Sequence, residues 1–306
     1  MADLLLPTPH LEKLAAAINN DKVPAGDKQR LELAVDRYRT WIKNLGAVRE
    51  TGEAAILQMV QLLTEYKLYI DLEVIFDSPD DFLYRQKGQL KLDNSIIEEF
   101  LPWLLRESVF PEINTADLSF GPTNCYSSIY FDGSLSDHRL GAGIRVRTKD
   151  QDFALARKLY IRASHSLDFS DAAQVDTYIA YVVTESKTNL DKTMFQEACA
   201  TARDLKMAVP ASRYFLMCEW LDMTPVSTAQ TDVEEVLILR GRRVGSDVRR
   251  NYSDNAKRRV LRDSYLAHQR ANPFRPAIFS RWAEHIRALL LNEDLQEDDV
   301  LERGFF

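Results

Sequence analysis

The chain has 306 residues, 45% of them hydrophobic, and a net charge of −7, which allows one large core or two smaller ones. No run approaches the roughly 20 apolar residues of a membrane helix, and MADLLLPTPHLEK lacks the basic start and long apolar centre of a secretory leader, so a cytoplasmic protein with no membrane partner is expected. Three widely spaced cysteines (Cys125, Cys199, Cys218), histidines without HExxH or paired spacing, and no GxGxxG or phosphate-loop motif argue against a disulfide framework, a zinc site and a nucleotide cofactor.

Residues 10–110 read as helical, with apolar residues at three- and four-residue spacings in DKQRLELAVDRYRTWIKNLG and GEAAILQMVQLLTEYKLYIDLEVIF. Asp27 is the expected N-cap of the first of these and Gly46 its stop. IIEEFLPWLLRESV after Asn94 predicts a further short helix. From about Leu118 the pattern changes to short β-rich runs, SSIYFDGS, GAGIRVRT, FALARKLYIRAS and TYIAYVVTES, separated by Gly, Asp, Ser and His. A helix from Asp191 to about Met207, ended by Pro210, precedes two more strands, RYFLMCEWL and EEVLILR. Strand–helix–strand order predicts a parallel pair joined by a crossover. The expected architecture is α/β, a mixed sheet flanked by helices behind a helical N-terminal region.

TYIAYVVTES runs into Glu185-Ser186-Lys187. At i and i+2 on a strand, Glu185 and Lys187 share a face. A carboxylate can hold a hard cation such as Mg²⁺, with the Ser186 carbonyl as a further oxygen ligand, while the lysine holds or activates a water beside it. The same tripeptide pattern recurs at Glu65-Tyr66-Lys67 and Asp204-Leu205-Lys206. Both of those lie in helical runs, where such residues do not face each other. Against the hydrolytic reading stands a plain salt bridge at a strand end. A second acid is needed from the neighbouring strand. In an antiparallel hairpin with its loop near 165–175, the end of the second strand lies beside the start of the first, which selects Asp152. Asp150 is two residues earlier, and Asp168, Asp171 and Asp176 lie at the far end; they remain alternatives, and a turn acid at a strand start is the plain reading of Asp152.

Between Arg240 and Arg275 the sequence has eleven Arg or Lys against Asp247, Asp254 and Asp263, a segment of +8 on a remainder of −15. Such asymmetry points to a localised polyanion contact. Arg242, Arg243, Arg249, Arg250, Lys257, Arg258 and Arg259 are the candidates for contacting phosphates or, in the major groove, guanine; Tyr252, Tyr265 and Phe274 interleave with them. A solvated charged face is the bland alternative.

The strand-borne ESK with an upstream acid resembles the PD-(D/E)XK nuclease superfamily. More specifically, residues 82–104, 148–166, 184–206 (TESKTNLDKTMFQEACATARDLK) and 218–240 resemble the type II restriction endonucleases of the family that includes BbvCI and DdeI, over roughly residues 10–245. The resemblance implies Mg²⁺-dependent cleavage of double-stranded DNA at a short sequence, leaving 5′-phosphate and 3′-hydroxyl ends, and a companion DNA methyltransferase. Glu185 matches the metal-binding acid and Lys187 the catalytic lysine, with Asp152 as first acid; Gln151 precedes it where the superfamily name has proline. Gln196 and Glu197 would face the site from the crossover helix. On this reading residues 1–110 form a helical DNA-binding or dimerisation region, 111–240 the nuclease core and 241–306 a basic, mostly helical arm. Cutting both strands calls for a second subunit, identical or paralogous. A catalytically silent or specificity-providing DNA-binding subunit of a two-subunit restriction enzyme is the alternative, and an RNA or repair nuclease on the same scaffold a third reading.

Overall fold

The computed structural model describes residues 6–111, 118–291, 301–302 and 304; the first five residues and most of the tail of the basic arm after 291 lie outside them. The chain opens with helices α1 (Pro9–Ile18), α2 (Ala25–Ala47) and α3 (Gly52–Tyr69), and α3 runs on as a π-helix, Ile70–Phe76. Short helices α4 (Phe82–Gln86) and α5 (Ser95–Phe100) follow, the latter continued by a 3₁₀ turn over Leu101–Leu105. Asp27 is not the cap of α2: the helix starts two residues earlier, behind Pro24. Asp27 lies in its first turn, buried, where it accepts the Ser78 hydroxyl at 3.0 Å. Gly46 does not stop the helix, which runs one residue beyond it.

Five strands form one sheet in the order β1 (Ser119–Phe131), β2 (Ile144–Ala163), β3 (Ala173–Leu190), β4 (Arg213–Leu221), β5 (Glu235–Arg242). β1, β2 and β3 are antiparallel neighbours, while β4 and β5 join β3 in parallel. IRVRT of the first run and FALARKLYIRA of the second belong to a single twenty-residue strand, while Gly141–Gly143 lie in a 3₁₀ turn before it. The charged KDQD between them imitates a turn in sequence, yet its backbone pairs with β1 through Lys149↔Cys125 and Asp150↔Asn124.

Helix α6 (Lys192–Ala208) makes the crossover from β3 to β4. It starts where the sequence predicts, with the Asp191 carboxylate accepting the Met194 N–H at 2.9 Å. Phe195, Ala198, Ala202 and Leu205, spaced on one helical face, pack on the sheet. The other sheet face meets α3, α5 and α9 (Pro276–Leu290), beyond α7 (Ser246–Arg249) and α8 (Asn255–Ala271). That second core takes residues from all three segments, among them Leu63, Phe100, Phe153, Phe215 and Trp282. Within it runs a buried charge cluster: Lys67 pairs with Asp71 at 2.6 Å and Glu219 at 3.0 Å, and Arg240 meets Glu219 at 3.2 Å. No helix among the described residues is long and apolar enough to cross a membrane.

One buried acid of α5 makes stability depend on pH. Glu99 accepts the backbone N–H of His10 at 2.8 Å and of Leu11 at 3.4 Å, but burial outweighs these bonds and pushes its pKa from 4.5 up to about 7. The folded state thus holds the proton longer than the unfolded chain. This contribution is complete below about pH 4.5 and lost as pH rises through about 7. Glu99→Gln is expected to gain on the wild type by roughly 3 kcal/mol across that window. Urea midpoints for both proteins at pH 4.5 and 8 check it, and a pH-independent difference would contradict it.

Candidate active site

Alternation along β3 sorts its side chains between the two cores. Val182 joins the core under α9, and Val183 the core under α6. Thr184 keeps the first direction and accepts the Trp282 indole N–H at 2.8 Å; Glu185 and Lys187 continue the direction of Val183. The ESK does not end the strand. β3 continues through Thr188 and Asn189 to Leu190, with Lys187 opposite Cys218 and Asn189 opposite Trp220, because β4 is there to take its backbone bonds.

Asp152 sits in mid-strand on β2, beside Phe153, which pairs with Thr184. Its carboxylate accepts the Ser186 N–H at 3.0 Å, so the acid is bound to the backbone of the ESK itself. The alternatives are held elsewhere: Asp150 accepts the Asn124 side chain at 2.6 Å, Asp168 caps Ser170, Asp171 holds Ser164 and Ser166, and Asp176 pairs with Lys158.

Lys187 Nζ lies 2.6 Å from Glu185 Oε1, and Tyr214 of β4 donates its hydroxyl to Glu185 Oε2. Burial alone would lower the lysine's pKa, but the hydrogen bond and charge of Glu185 outweigh it and raise the value. Burial raises Asp152, against the Ser186 amide and Lys91, while the Glu185 charge adds to the rise. Tyr214 is raised by burial and by Glu185. Two acids crowded together and partly desolvated favour a cation, which competes with the Lys187 ammonium for Glu185.

Sequence reasoning missed three groups here. Glu98 of α5 is 4% exposed; burial, then the charge of Asp152, pushes it up to about 7. Lys91, in a left-handed backbone conformation (φ 52°), reaches Asp152 Oδ1 at 3.9 Å. Both fall in the family-like stretch 82–104 but on no recognisable chemical motif. Tyr214 stands in the sequence only as one residue of a strand run. On α6, Gln196 and Glu197 are exposed, and the Glu197 charge acts on Lys187.

The donor set fits Mg²⁺. Asp152, Glu185 and the Ser186 carbonyl offer hard oxygen ligands, and Mg²⁺ is commonly held by one or two carboxylates with water completing its shell. Among the described residues no three His, Cys, Asp or Glu side chains form a ready metal cage.

The basic arm divides. Arg242, Arg250, Lys257 and Arg259 are exposed. Arg243 and Arg249 both bind Asp222, at 2.8 and 3.1 Å, and with Lys67, Lys87, Tyr84 and Trp220 they border a cavity of ≈ 70 Å³ that Thr188 also lines. Arg258 is not a surface cation. It is 1% exposed and donates to the carbonyls of Phe76, Ser78 and Tyr252 at 2.7–2.9 Å while pairing with Asp81 at 2.7 Å. Counting charge along the chain cannot see such partners, most of which come from residues 76–81.

The model of the Bpu10I restriction endonuclease family matches residues 89–306, a span that holds every group of the site. Among solved structures, the native BbvCI A2B2 tetramer at low resolution contains a chain that is similar at 20% identity with a TM-score of 0.54, over 84% of this chain and 95% of that one, a likeness of fold. No curated protein sequence matches.

Proposed function

Since the chain belongs to the Bpu10I restriction endonuclease family and is a type II restriction endonuclease, we propose that it hydrolyses double-stranded DNA at a short recognition sequence in a Mg²⁺-dependent reaction of the PD-(D/E)XK kind. Asp152, Glu185 and Lys187 are its catalytic residues. The observation that carries this reading is the hydrogen bond from Ser186 N–H to Asp152, which fixes the first acid against the strand that bears Glu185 and Lys187. Asp152, Glu185 and the Ser186 carbonyl would hold the cation, which polarises the phosphoryl oxygen and stabilises the leaving oxyanion when bound.

Lys187 is protonated while it pairs with Glu185. Its ammonium orients a water and the scissile phosphate oxygens, and the Tyr214 hydroxyl fixes the rotamer of Glu185 from behind. Water adds to phosphorus, the bond to the 3′-oxygen breaks, and one water is consumed per strand cut. Glu98 and Lys91 surround Asp152 and tune its charge. A Mg²⁺-dependent cutter of both strands works with a second subunit, and a companion methyltransferase would protect the host sites. The test is to incubate the purified chain with plasmid and phage DNA in Mg²⁺ and then in EDTA. Discrete fragments only in Mg²⁺ are expected; no metal-dependent cutting would leave the silent-subunit reading in its place.

The exposed Arg242, Arg250, Lys257 and Arg259 and the cavity of Arg243 and Arg249 mark the path of the DNA backbone. Asp222 pairs with both of these arginines and offsets one of their two charges. Asp222→Asn is expected to tighten binding to random duplex and to steepen its salt dependence by about one unit of slope per freed phosphate contact. Fluorescence anisotropy across a KCl series reads this directly, and an unaltered slope would put the two arginines off the DNA.

A further inference from the structure

The ≈ 70 Å³ cavity bordered by Arg243 and Arg249 lies at the carboxyl ends of the three parallel strands. Thr188 comes from the end of β3, Trp220 from the end of β4, and Arg243 directly follows β5. Crevices at such strand ends are where open sheets hold ligands. Thr188 is the neighbour of Lys187 in β3 and takes the opposite face, so the cavity and the Glu185 and Lys187 pair lie on the two sides of one strand. A second segment also reaches both places: Lys87 lines the cavity, while Lys91 reaches Asp152 at 3.9 Å.

Size and lining narrow the occupant. About two waters fill such a volume, and a cavity of about 150 Å³ is what accepts a benzene ring, so a nucleobase is too large and a tetrahedral oxyanion fits. On one wall Trp220 stacks on His268 with ring centroids 5.0 Å apart; on another, Tyr252 stands edge-on to Tyr84 and Tyr265. His268 Nε2 is buried with no hydrogen-bond partner among the described residues, and a buried polar atom of that kind calls for one. The charges of the wall then choose between phosphates. Lys67 bridges two carboxylates, Asp71 and Glu219, and Lys87 pairs with Asp93 at 3.2 Å. Arg243 and Arg249 share a single carboxylate, Asp222. The surplus is one positive charge at the arginine pair, which matches the single charge of a phosphodiester rather than the two of a phosphomonoester.

We propose that this cavity is an anchor for one phosphodiester of bound DNA, held by Arg243, Arg249 and the Thr188 hydroxyl, and that it positions the scissile phosphate against Lys187 through the strand they share. That the oxyanion belongs to DNA rests on the nuclease reading; the oxyanion site itself does not. Because Thr188 and Lys187 are adjacent, the anchored phosphate is among the few nearest the cut.

Two arms test it. In the first, without DNA or metal, the full chain is titrated with dimethyl phosphate at constant ionic strength and read by tryptophan fluorescence, since Trp220 stands in the wall. Saturable binding at roughly millimolar concentration is expected, weakened at least about tenfold in Arg243→Gln/Arg249→Gln. Thr188→Val, which keeps the volume of the side chain, serves beside it should the double variant lose its fold by circular dichroism. In the second arm, duplexes carrying one uncharged methylphosphonate, moved stepwise through the cleavage site, are cut at saturating enzyme. One position near the cut is expected to slow the wild type at least about tenfold and the variants by less than about twofold, as for two changes that remove the same interaction. That pattern upholds the anchor even where the free ester binds too weakly to titrate. A scan with no such position, or one that slows wild type and variants alike, overturns the DNA anchor, and a flat scan without saturable binding overturns the oxyanion site as well. Saturable binding that the variants lose, with no duplex cut by any of the proteins, would uphold the oxyanion site and sink the nuclease reading instead.

Discussion

Glu185→Gln and Lys187→Ala are each expected to slow Mg²⁺-dependent cleavage by about 10²–10⁴-fold while duplex binding in EDTA stays within about twofold of the wild type. The two substitutions fail for different reasons. Glu185→Gln removes the negative charge that the lysine at 2.6 Å balances, leaving a cation site with one carboxylate fewer. Lys187→Ala leaves Glu185 held by Tyr214 alone and takes away the ammonium that orients the water. Neither side chain fills a core, so the fold is retained. Single-turnover cleavage at saturating enzyme separates chemistry from binding. Unchanged cutting by Lys187→Ala would remove the lysine from the mechanism. Cleavage of Glu185→Gln at the wild-type rate would make Asp152 with Glu98 the better pair.

Arg258→Ala is the largest expected stability effect, about 3–5 kcal/mol, lowering Tm by roughly 2–4 °C for each kcal/mol in a chain of this size. The guanidinium bridges three carbonyls, Asp81 and the face of Tyr84, 4.9 Å from its centroid. Truncation leaves those acceptors buried without a donor. Asp81 is itself in a left-handed backbone conformation (φ 58°), which this pairing helps to hold. Arg242, Arg250, Lys257 and Arg259 are expected to behave in the opposite way: alanine at each changes stability by less than about 0.5 kcal/mol and weakens DNA binding. Thermal melts and binding isotherms on all five variants decide it. A stable Arg258→Ala protein with reduced affinity would return that arginine to the DNA surface.

Much of the site is legible in the sequence because it lies on one strand and its hairpin partner. The face shared by Glu185 and Lys187 follows from two-residue periodicity, and hairpin register brings Asp152 beside them. Helix α6 is legible at both ends, through Asp191 and Pro210. Less legible is any contact closed by residues distant in the chain. Glu98 and Lys91 reach Asp152 across more than fifty residues, and Asp81 and Asp222 pair with arginines that look like an unbroken basic surface. Local polarity also misleads where the sheet tolerates it. KDQD reads as a turn but is paired strand, and Asp27 reads as a cap but is a buried acid in the first turn of its helix.

The core shared by Leu63, Phe100, Phe153, Phe215 and Trp282 bears on how such an enzyme could be re-engineered. In nucleases assembled from separable modules, a cutting unit can be detached and fused to a new targeting unit. Here a fragment spanning only the five strands would shed the helices that pack on one face of the sheet, and with them Lys67, whose loss would leave Glu219 to Arg240 alone. Retargeting this scaffold therefore means rewriting surface side chains in place, because it offers no seam along which to cut and splice.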